Sequence, residues 1–293
     1  MIPSADAKRI LLTGATGYVG GQLLPALLGA GHDVRCLVRD PDRADLPERA
    51  AVVRGDVRDA AAVREALRET DVAYYLVHSM GGGGGDFAAA DRQAAATFGV
   101  ARLIYLGGLE GGPDGASAHL RSRDDVGRIL AERVRGMVHV RAAMVIGAHS
   151  ASFEMMRSLV DRLPVMVCPR WIDTRTQPVA VRDVVRTLAA LAVAPDPPAE
   201  LELGGADVLT YREMMARYAR IAGRGAPRIV KVPVLTPRLS SYWVGLVTPV
   251  DAGLARPLVQ GLSAEMLVRR PPPPGLNDDP LGFDDAVRAA LTA

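Results

Sequence analysis

Through the first 140 residues, short apolar runs of strand length alternate with amphipathic stretches. The runs are RILLT (9–13), DVRCLV (33–38), AVV (51–53), VAYYLV (72–77), RLIYLG (102–107) and MVHVRA (137–142). Helical periodicity occupies 18–30, 59–69, 86–99 and 120–135 between them. Strands separated by helices in this way predict a parallel sheet covered on both faces, because a right-handed crossover between parallel neighbours needs a helix. The expected fold class is α/β, a doubly wound parallel sheet. Local signals agree: Asp59 stands as an N-cap before AAVREALRE, and GAGHDV closes the first helix with glycine. Pro25 lies inside that helix and removes a backbone donor, so a bend is expected there.

The second half is less regular. ASFEMMRSLVDRL (151–163) reads as a helix, TQPVAVRDVVRTLAALA (176–192) as a short strand running into a helix, and LELGG (201–205) as a strand. Thr210 to Glu213 forms a capping box that opens a helix to about Ile221, since hydroxyl and carboxylate can each serve an unpaired amide. VPVLTPRLSSYWVGLVTPV (232–250) reads as a surface or lid helix, RRPPPPGLNDDP (269–280) as a spacer and FDDAVRAALTA (283–293) as a closing helix. Two units are expected: a dinucleotide-binding domain over 1–148, and a smaller substrate-binding lobe over 149–293, parts of which return to the first core.

The stretch LLTGATGYVGGQLL follows the first strand, opens the first helix and spaces Gly14, Gly17 and Gly20 as G-x-x-G-x-x-G. Glycine permits the tight turn and lets backbone amides approach an anionic diphosphate, while the helix start adds partial positive charge. Strand, glycine loop and helix in this order predict dinucleotide binding; the bland alternative is a tight turn and nothing more. The second strand ends in LVRDPDR. An arginine there, Arg39 with Arg43 closing over it, would pair with the 2′-phosphate of NADP(H), which is the preferred cofactor; the adjacent Asp40 keeps NAD(H) open. Asp56, past the third strand, is either an acceptor for the adenine amino group or an ordinary turn aspartate.

Charge and composition narrow the function. A net charge of +2 from 35 basic and 33 acidic residues spread along the chain argues against nucleic acid as a partner. Nearly every cation is arginine, so a single arginine carries less information. Cys36 and Cys168 lie in apolar runs without metal-ligand spacing, and they read as packed, reduced thiols. No metal is expected. The N-terminus shows no secretory pattern, and no apolar run approaches the roughly 18 residues of a bilayer span, so a cytoplasmic protein without a transmembrane span is expected.

TGATGYVG, GDV, YYLVHSM, LIYLGGL and RAAMVIG, in this order, resemble an extended-type short-chain dehydrogenase/reductase of the atypical, NmrA-like NAD(P)H-binding group. FEMMRSLVDRLPVMVCPRW and RTQPVAVRDVV resemble the segment leading into that group's substrate lobe. The resemblance implies a Rossmann-type sheet. It assigns Gly14, Thr16, Gly17, Tyr18, Val19 and Gly20 to the cofactor loop, Arg39 to the NADP phosphate, and Asp56 and Val57 to the adenine. Leu76, Val77 and His78 then run beside the cofactor ribose, and SMGGGGGDF is expected to be a mobile loop.

Catalysis is where the resemblance departs. The family's serine position falls near Gly107 and Gly108, and HLRSR sets His119 and Arg123 at the spacing of its tyrosine and lysine. Positions i and i+4 share a helix face, and histidine can donate a proton near neutral pH, so His119 with Arg123 is the catalytic expectation. The alternative makes both polar residues at a pocket rim, with Ser117, Ser122 or Tyr105 as weaker substitutes. Tyr105, His149, Met155, Trp171 and Arg175 are candidates for substrate contact, although a Met pair on an amphipathic helix, as at Met155 and Met156, is more often core. Three functions follow: an NADP(H)-dependent oxidoreductase acting on a small carbonyl or alcohol substrate, a non-catalytic redox sensor acting through a protein partner, or a sugar-nucleotide epimerase-like enzyme.

Overall fold

A computed structural model describes residues 7–77, 98–109, 118–232 and 261–293, the side chains of 118–120 excepted. In chain order its strands are β1 (Arg9–Thr13), β2 (Asp33–Val38), β3 (Ala51–Arg54), β4 (Val72–Tyr75), β5 (Arg102–Gly108), β6 (Met137–Ala142), β7 (Val145–Ile146), β8 (Val165–Cys168), β9 (Arg175–Thr176), β10 (Val179–Ala180), β11 (Glu200–Leu203), β12 (Leu209–Thr210) and β13 (Arg228–Lys231). The α-helices among the described residues are α1 (Tyr18–Gly29), α2 (Ala60–Ala66), α3 (Ala118–Arg133), α4 (Ala151–Arg162), α5 (Val181–Val193), α6 (Tyr211–Ile221) and α7 (Phe283–Thr292).

Seven strands form one sheet in the order β11-β6-β5-β4-β1-β2-β3, every pairing parallel. Side chains alternate across it with the period of two that strands impose. Ile10, Leu12 and Tyr74 pack under α1 and α5 against Leu23, Leu27, Val184 and Leu188. Leu11, Leu37 and Tyr75 face the other way, toward Val63 of α2 and Val126 and Leu130 of α3. Each fully buried leucine contributes about 1.5–3 kcal/mol, so the sheet and its two helical layers hold the strand ends rigidly. Helix α1 continues across Pro25; both Pro25 and Gly21, whose carbonyl loses its partner, lie on the exposed side, where water can serve it.

A second core gathers Phe153, Met156, Met166, Tyr211, Met214, Tyr218, Phe283 and Val287 from α4, β8, α6 and α7. The Thr210 hydroxyl accepts from the Glu213 amide at 3.2 Å and Glu213 accepts from the Thr210 amide at 2.7 Å, the reciprocal cap expected from TYRE. Two ties bind this part to the sheet. Strand β11 pairs with β6 from Glu200 opposite His139 to Leu203 opposite Ala142. Asp183, fully buried at the start of α5, accepts from the Leu281 amide at 2.8 Å and pairs with Arg182 at 3.0 Å. The short strand β10 runs straight into α5, as expected from 176–192, whereas β7, β9 and β12 escape sequence reading, because two residues show no periodicity. The Gly-rich SMGGGGGDF segment, all but the last two residues of the helix expected over 86–99, and most of 232–250 lie outside the described residues; residues 98 and 99 are not helical.

Candidate functional site

Parallel strands bring every βα turn to one edge, and the sheet order reverses direction between β1 and β4. The glycine turn lies at that switch point. Gly14 has φ +78, and a Cβ there would stand 3.0 Å from the Leu76 carbonyl beyond β4. The Gly17 amide donates to the Gly14 carbonyl at 2.9 Å and closes the turn. A Cβ on Gly20 would lie 2.1 Å from the Gly14 oxygen, so helix and turn approach more closely than any side chain allows. Gly17 is the N-cap of α1 and supplies no side-chain acceptor, and the first turn carries no acidic residue. The amides of Tyr18, Val19 and Gly20 thus have no intrahelical partner and face a place suited to an anion. Thr16 is exposed beside them. The residues fit a dinucleotide diphosphate. The Tyr18 hydroxyl packs over Gly147, and burial pushes its phenol above the usual range.

The next two strand ends continue the groove. Arg39 follows β2, is exposed, and forms no ion pair among the described residues. Arg43 is 86% exposed and only 4.0 Å from Asp40, a loose pair. Gly55 donates to the Val38 carbonyl at 2.9 Å, which sets Asp56 beside Arg39. Asp56 is engaged by Arg58, through Nε at 3.0 Å, Nη2 at 2.7 Å and the backbone amide at 2.9 Å. Those hydrogen bonds hold its carboxyl below the usual range, and the Arg39 charge adds to the effect. Val57 is buried behind it.

On the other side of the switch point, Leu76 is buried and Val77 half-buried at the end of β4. His78 lies outside the described residues, as does Ser117; His119 sits in the first turn of α3, its side chain outside the description. The Arg123 guanidinium donates through Nη2 to the Leu106 carbonyl at 2.5 Å, and its own carbonyl accepts from the Tyr105 hydroxyl at 2.9 Å. Arg123 therefore bolts α3 to the end of β5. Beneath the family's serine position, His139 of β6 fills the gap: a Cβ on Gly107 would lie 2.4 Å from its Nε2, and one on Gly127 2.6 Å from its Cε1. His139 is 4% exposed, and its Nε2 has no hydrogen-bond partner among the described residues. Burial, then the Arg141 charge, outweigh Asp124 and push its imidazole down to about 3. Sequence reading passed over His139 inside MVHVRA; the signal was two polar residues, His139 and Arg141, on one face of a buried strand.

Three substrate candidates are engaged by neighbouring groups. Tyr105 is 2% exposed, packed between Tyr75 and His139, with its hydroxyl taken by Arg123. Met155, like Met156, belongs to the second core because both fall on the apolar side of α4. Arg175 pairs on the surface with Glu265 at 2.8 Å. Trp171 packs edge-on to Tyr211 at 5.9 Å, with a buried indole N–H that has no partner among the described residues. His149 is exposed and adopts φ 66, two residues beyond the Gly147 that meets Tyr18. Glu154 pairs with Arg157 at 3.2 Å, and Ser122 is half-buried on α3. Cys36 and Cys168 are buried free thiols, each pushed up to about 11 by burial. No described helix is long and apolar enough to cross a membrane.

A doubly wound parallel sheet with this glycine turn at its switch point defines a Rossmann-type dinucleotide-binding protein. Residues 14–145 match the model of the NAD(P)H-binding family, so this stretch is an NAD(P)H-binding domain. The chain is 27% identical over 216 residues to an uncharacterized protein of Mycobacterium tuberculosis, a match taking in 72% of this chain and 23% of that protein. It thus spans under a third of the curated relatives it matches. Among solved structures it is similar to the NADPH-dependent quinone oxidoreductase QOR2 of Escherichia coli, with TM-score 0.73 and 19% identity over 95% of this chain and 98% of that one. A nucleoside-diphosphate-sugar epimerase of Staphylococcus aureus gives TM-score 0.72 and 19% identity over 96% and 99%. At these identities the likeness is one of fold.

Proposed function

We propose that the protein is an NADP(H)-dependent oxidoreductase of the atypical short-chain dehydrogenase/reductase kind that acts on a small carbonyl or alcohol compound. The observation that carries it is the uncapped start of α1 behind a turn closed to any side chain at Gly14 and Gly20. Arg39, at the end of β2 and without an ion pair among the described residues, supports the phosphorylated nucleotide over NAD(H). When bound, the nicotinamide supplies or accepts the hydride. The chain's own residues then bind the diphosphate at Gly17 to Gly20, hold the end of β5 through Arg123, and move a proton at His119, one helical turn before Arg123. Similarity in fold to a quinone oxidoreductase supports a carbonyl-type substrate.

A second reading is favoured by one observation. The Arg123 guanidinium is anchored through Nη2 on the Leu106 carbonyl, a structural tie that suits a binding protein that reads the nucleotide's redox state without chemistry. The two separate in one experiment: purified protein is mixed with NADPH and a panel of quinones, aldehydes and ketones while nicotinamide absorbance is followed. Turnover lost in His119→Ala with cofactor affinity intact supports the oxidoreductase. Tight binding with no oxidation across the panel refutes it in favour of the sensor.

A further inference from the structure

The carboxyl edge of the sheet carries a further histidine on the side of the switch point away from β2 and β3. Strand β6 ends at Ala142, and the chain runs on through β7, which pairs with β10 from Val145 opposite Val179 to Ile146 opposite Ala180. Gly147 follows and meets the first turn of α1. A Cβ there would lie 2.1 Å from the Tyr18 hydroxyl oxygen and 2.7 Å from Cγ1 of Val181, so the phenol, the turn and the start of α5 converge on one point and only glycine fits. Tyr18 is the first residue of α1, and its amide is one of the uncapped donors of the cradle. The turn beyond Gly147 is fixed internally: the Ser150 amide donates to the Gly147 carbonyl at 3.1 Å, and the Ser150 hydroxyl donates to the Val145 carbonyl at 2.7 Å. His149 stands in that turn, its Cα within about 7.6 Å of the Gly147 Cα by two peptide steps. Its φ of 66 is left-handed backbone, which costs a residue with a Cβ energy that glycine avoids, yet the position carries an imidazole. The residue is exposed and has neither a hydrogen bond nor an ion pair among the described residues.

We propose that His149 is a catalytic residue of the oxidoreductase, donating to the substrate's reacting oxygen the hydrogen bond that the family's serine would supply, and that Tyr18 is its positioning residue. This rests on the function proposed above. The serine's own place is closed, since His139 fills the space beside Gly107 and leaves no room for a side chain. A donor from a neighbouring element takes over, and β6 is the strand beside β5, so the chain beyond it borders the same end of β5. An imidazole carries an N–H in either protonation state and can hold a carbonyl oxygen across neutral pH. The ring keeps that proton; proton transfer stays with His119. A hydrogen bond that tightens as the oxygen gains negative charge favours the transition state over the bound substrate. The Tyr18 contact joins this donor to the residue whose amide faces the diphosphate, which sets substrate oxygen and cofactor in one frame.

The experiment uses menadione, benzaldehyde and cyclohexanone as probes. Oxidation of NADPH is followed with wild type, His149→Ala, His149→Asn, His149→Gly, Gly147→Ala and the double variant Gly147→Ala with Tyr18→Phe. Calorimetry gives the NADPH affinity of each, and also the affinity of benzaldehyde for the protein loaded with NADP+, where no hydride can pass. His149→Ala is expected to lower kcat/KM about tenfold to a hundredfold and to weaken benzaldehyde about fivefold, with NADPH affinity moving by less than about threefold. His149→Asn, which keeps a side-chain donor and tolerates left-handed backbone, should fall between. Gly147→Ala should lose a comparable factor, and Tyr18→Phe in that background should recover part of it by removing the oxygen the new methyl meets. Unchanged kcat/KM in His149→Ala, or an equal loss of NADPH affinity, overturns the role of His149. Should His149→Ala not fold, His149→Gly, which frees the backbone, is read in its place with the same two outcomes. A Gly147→Ala variant that matches wild type, or that Tyr18→Phe does not improve, overturns the positioning by Tyr18. Wild type that turns over a probe, with His149→Ala doing the same undiminished, overturns this inference alone; wild type that binds NADPH and turns over no probe overturns the oxidoreductase reading and takes His149's role with it.

Discussion

Acidification from pH 7 to pH 5 should remove about 2 kcal/mol of stability through His139 alone. The unfolded imidazole titrates near its ordinary 6.5, whereas in the fold it is pushed down to about 3 because the buried ring sits between Gly107 and Gly127 with Arg141 nearby. Between those values the unfolded chain binds the proton and the native one does not. Stability is therefore complete above about pH 6.5 and falls as the pH drops toward the folded value. At pH 5 the difference is about 1.5 pH units at 1.36 kcal/mol each, and any folded value below about 4 gives the same figure. The lowered carboxylates, Asp56, Asp71, Asp173, Glu213 and Glu265, contribute stability that is present above their unfolded values near 4 and lost only below them. They do not enter this window. His32, lowered by burial and by Lys8, acts in the same direction but is retained in both proteins compared. The assay is urea unfolding of wild type and His139→Gln at half-unit steps from pH 7 to 5. The variant starts lower, having lost a packed ring, and its stability should be flatter by about 2 kcal/mol across the range. Parallel profiles would show that His139 is charged or accessible in the fold and would refute its placement.

Three further outcomes are expected. Gly20→Ala should abolish NADPH binding in a titration while the chain stays folded by circular dichroism, because a methyl 2.1 Å from the Gly14 oxygen must push helix and turn apart. Gly107→Ser, which installs the residue type of the resembled family, should lower stability by about 1–3 kcal/mol in urea rather than create activity, since its Cβ meets His139 at 2.4 Å; adding His139→Ala should recover part of the loss. Asp183→Ala should cost about 1–3 kcal/mol and make the 281–293 segment cleavable in limited proteolysis, because the Leu281 amide loses its buried acceptor.

Much of the site could be read from the chain because its chemistry is local. The glycine turn depends on residues within seven positions of one another, and Gly17 and Gly20 each meet the Gly14 carbonyl of that same stretch, although Gly14 itself also meets Leu76 from β4. The capping box at Thr210 and Glu213 and the N-cap at Asp59 were legible for the same reason. The depth at which Tyr105 and Met155 lie was not legible, because a side chain's period says which face it takes, not whether that face opens to a cleft. Arg58 was missed as a partner of Asp56 because an arginine in an arginine-rich chain carries little weight until its fork is seen.

The residues by themselves determined the alternation of strand and helix, the parallel sheet and the nucleotide turn at its switch point, since hydrophobic period and backbone permissiveness act over a few positions. Only the tertiary structure decided what fills the place of the missing serine. His139 reaches Gly107 from 32 positions along the chain, and Gly127 makes room for it from a third element. Steric exclusion between segments so far apart leaves no trace in a local pattern and exists only once the sheet has brought them together.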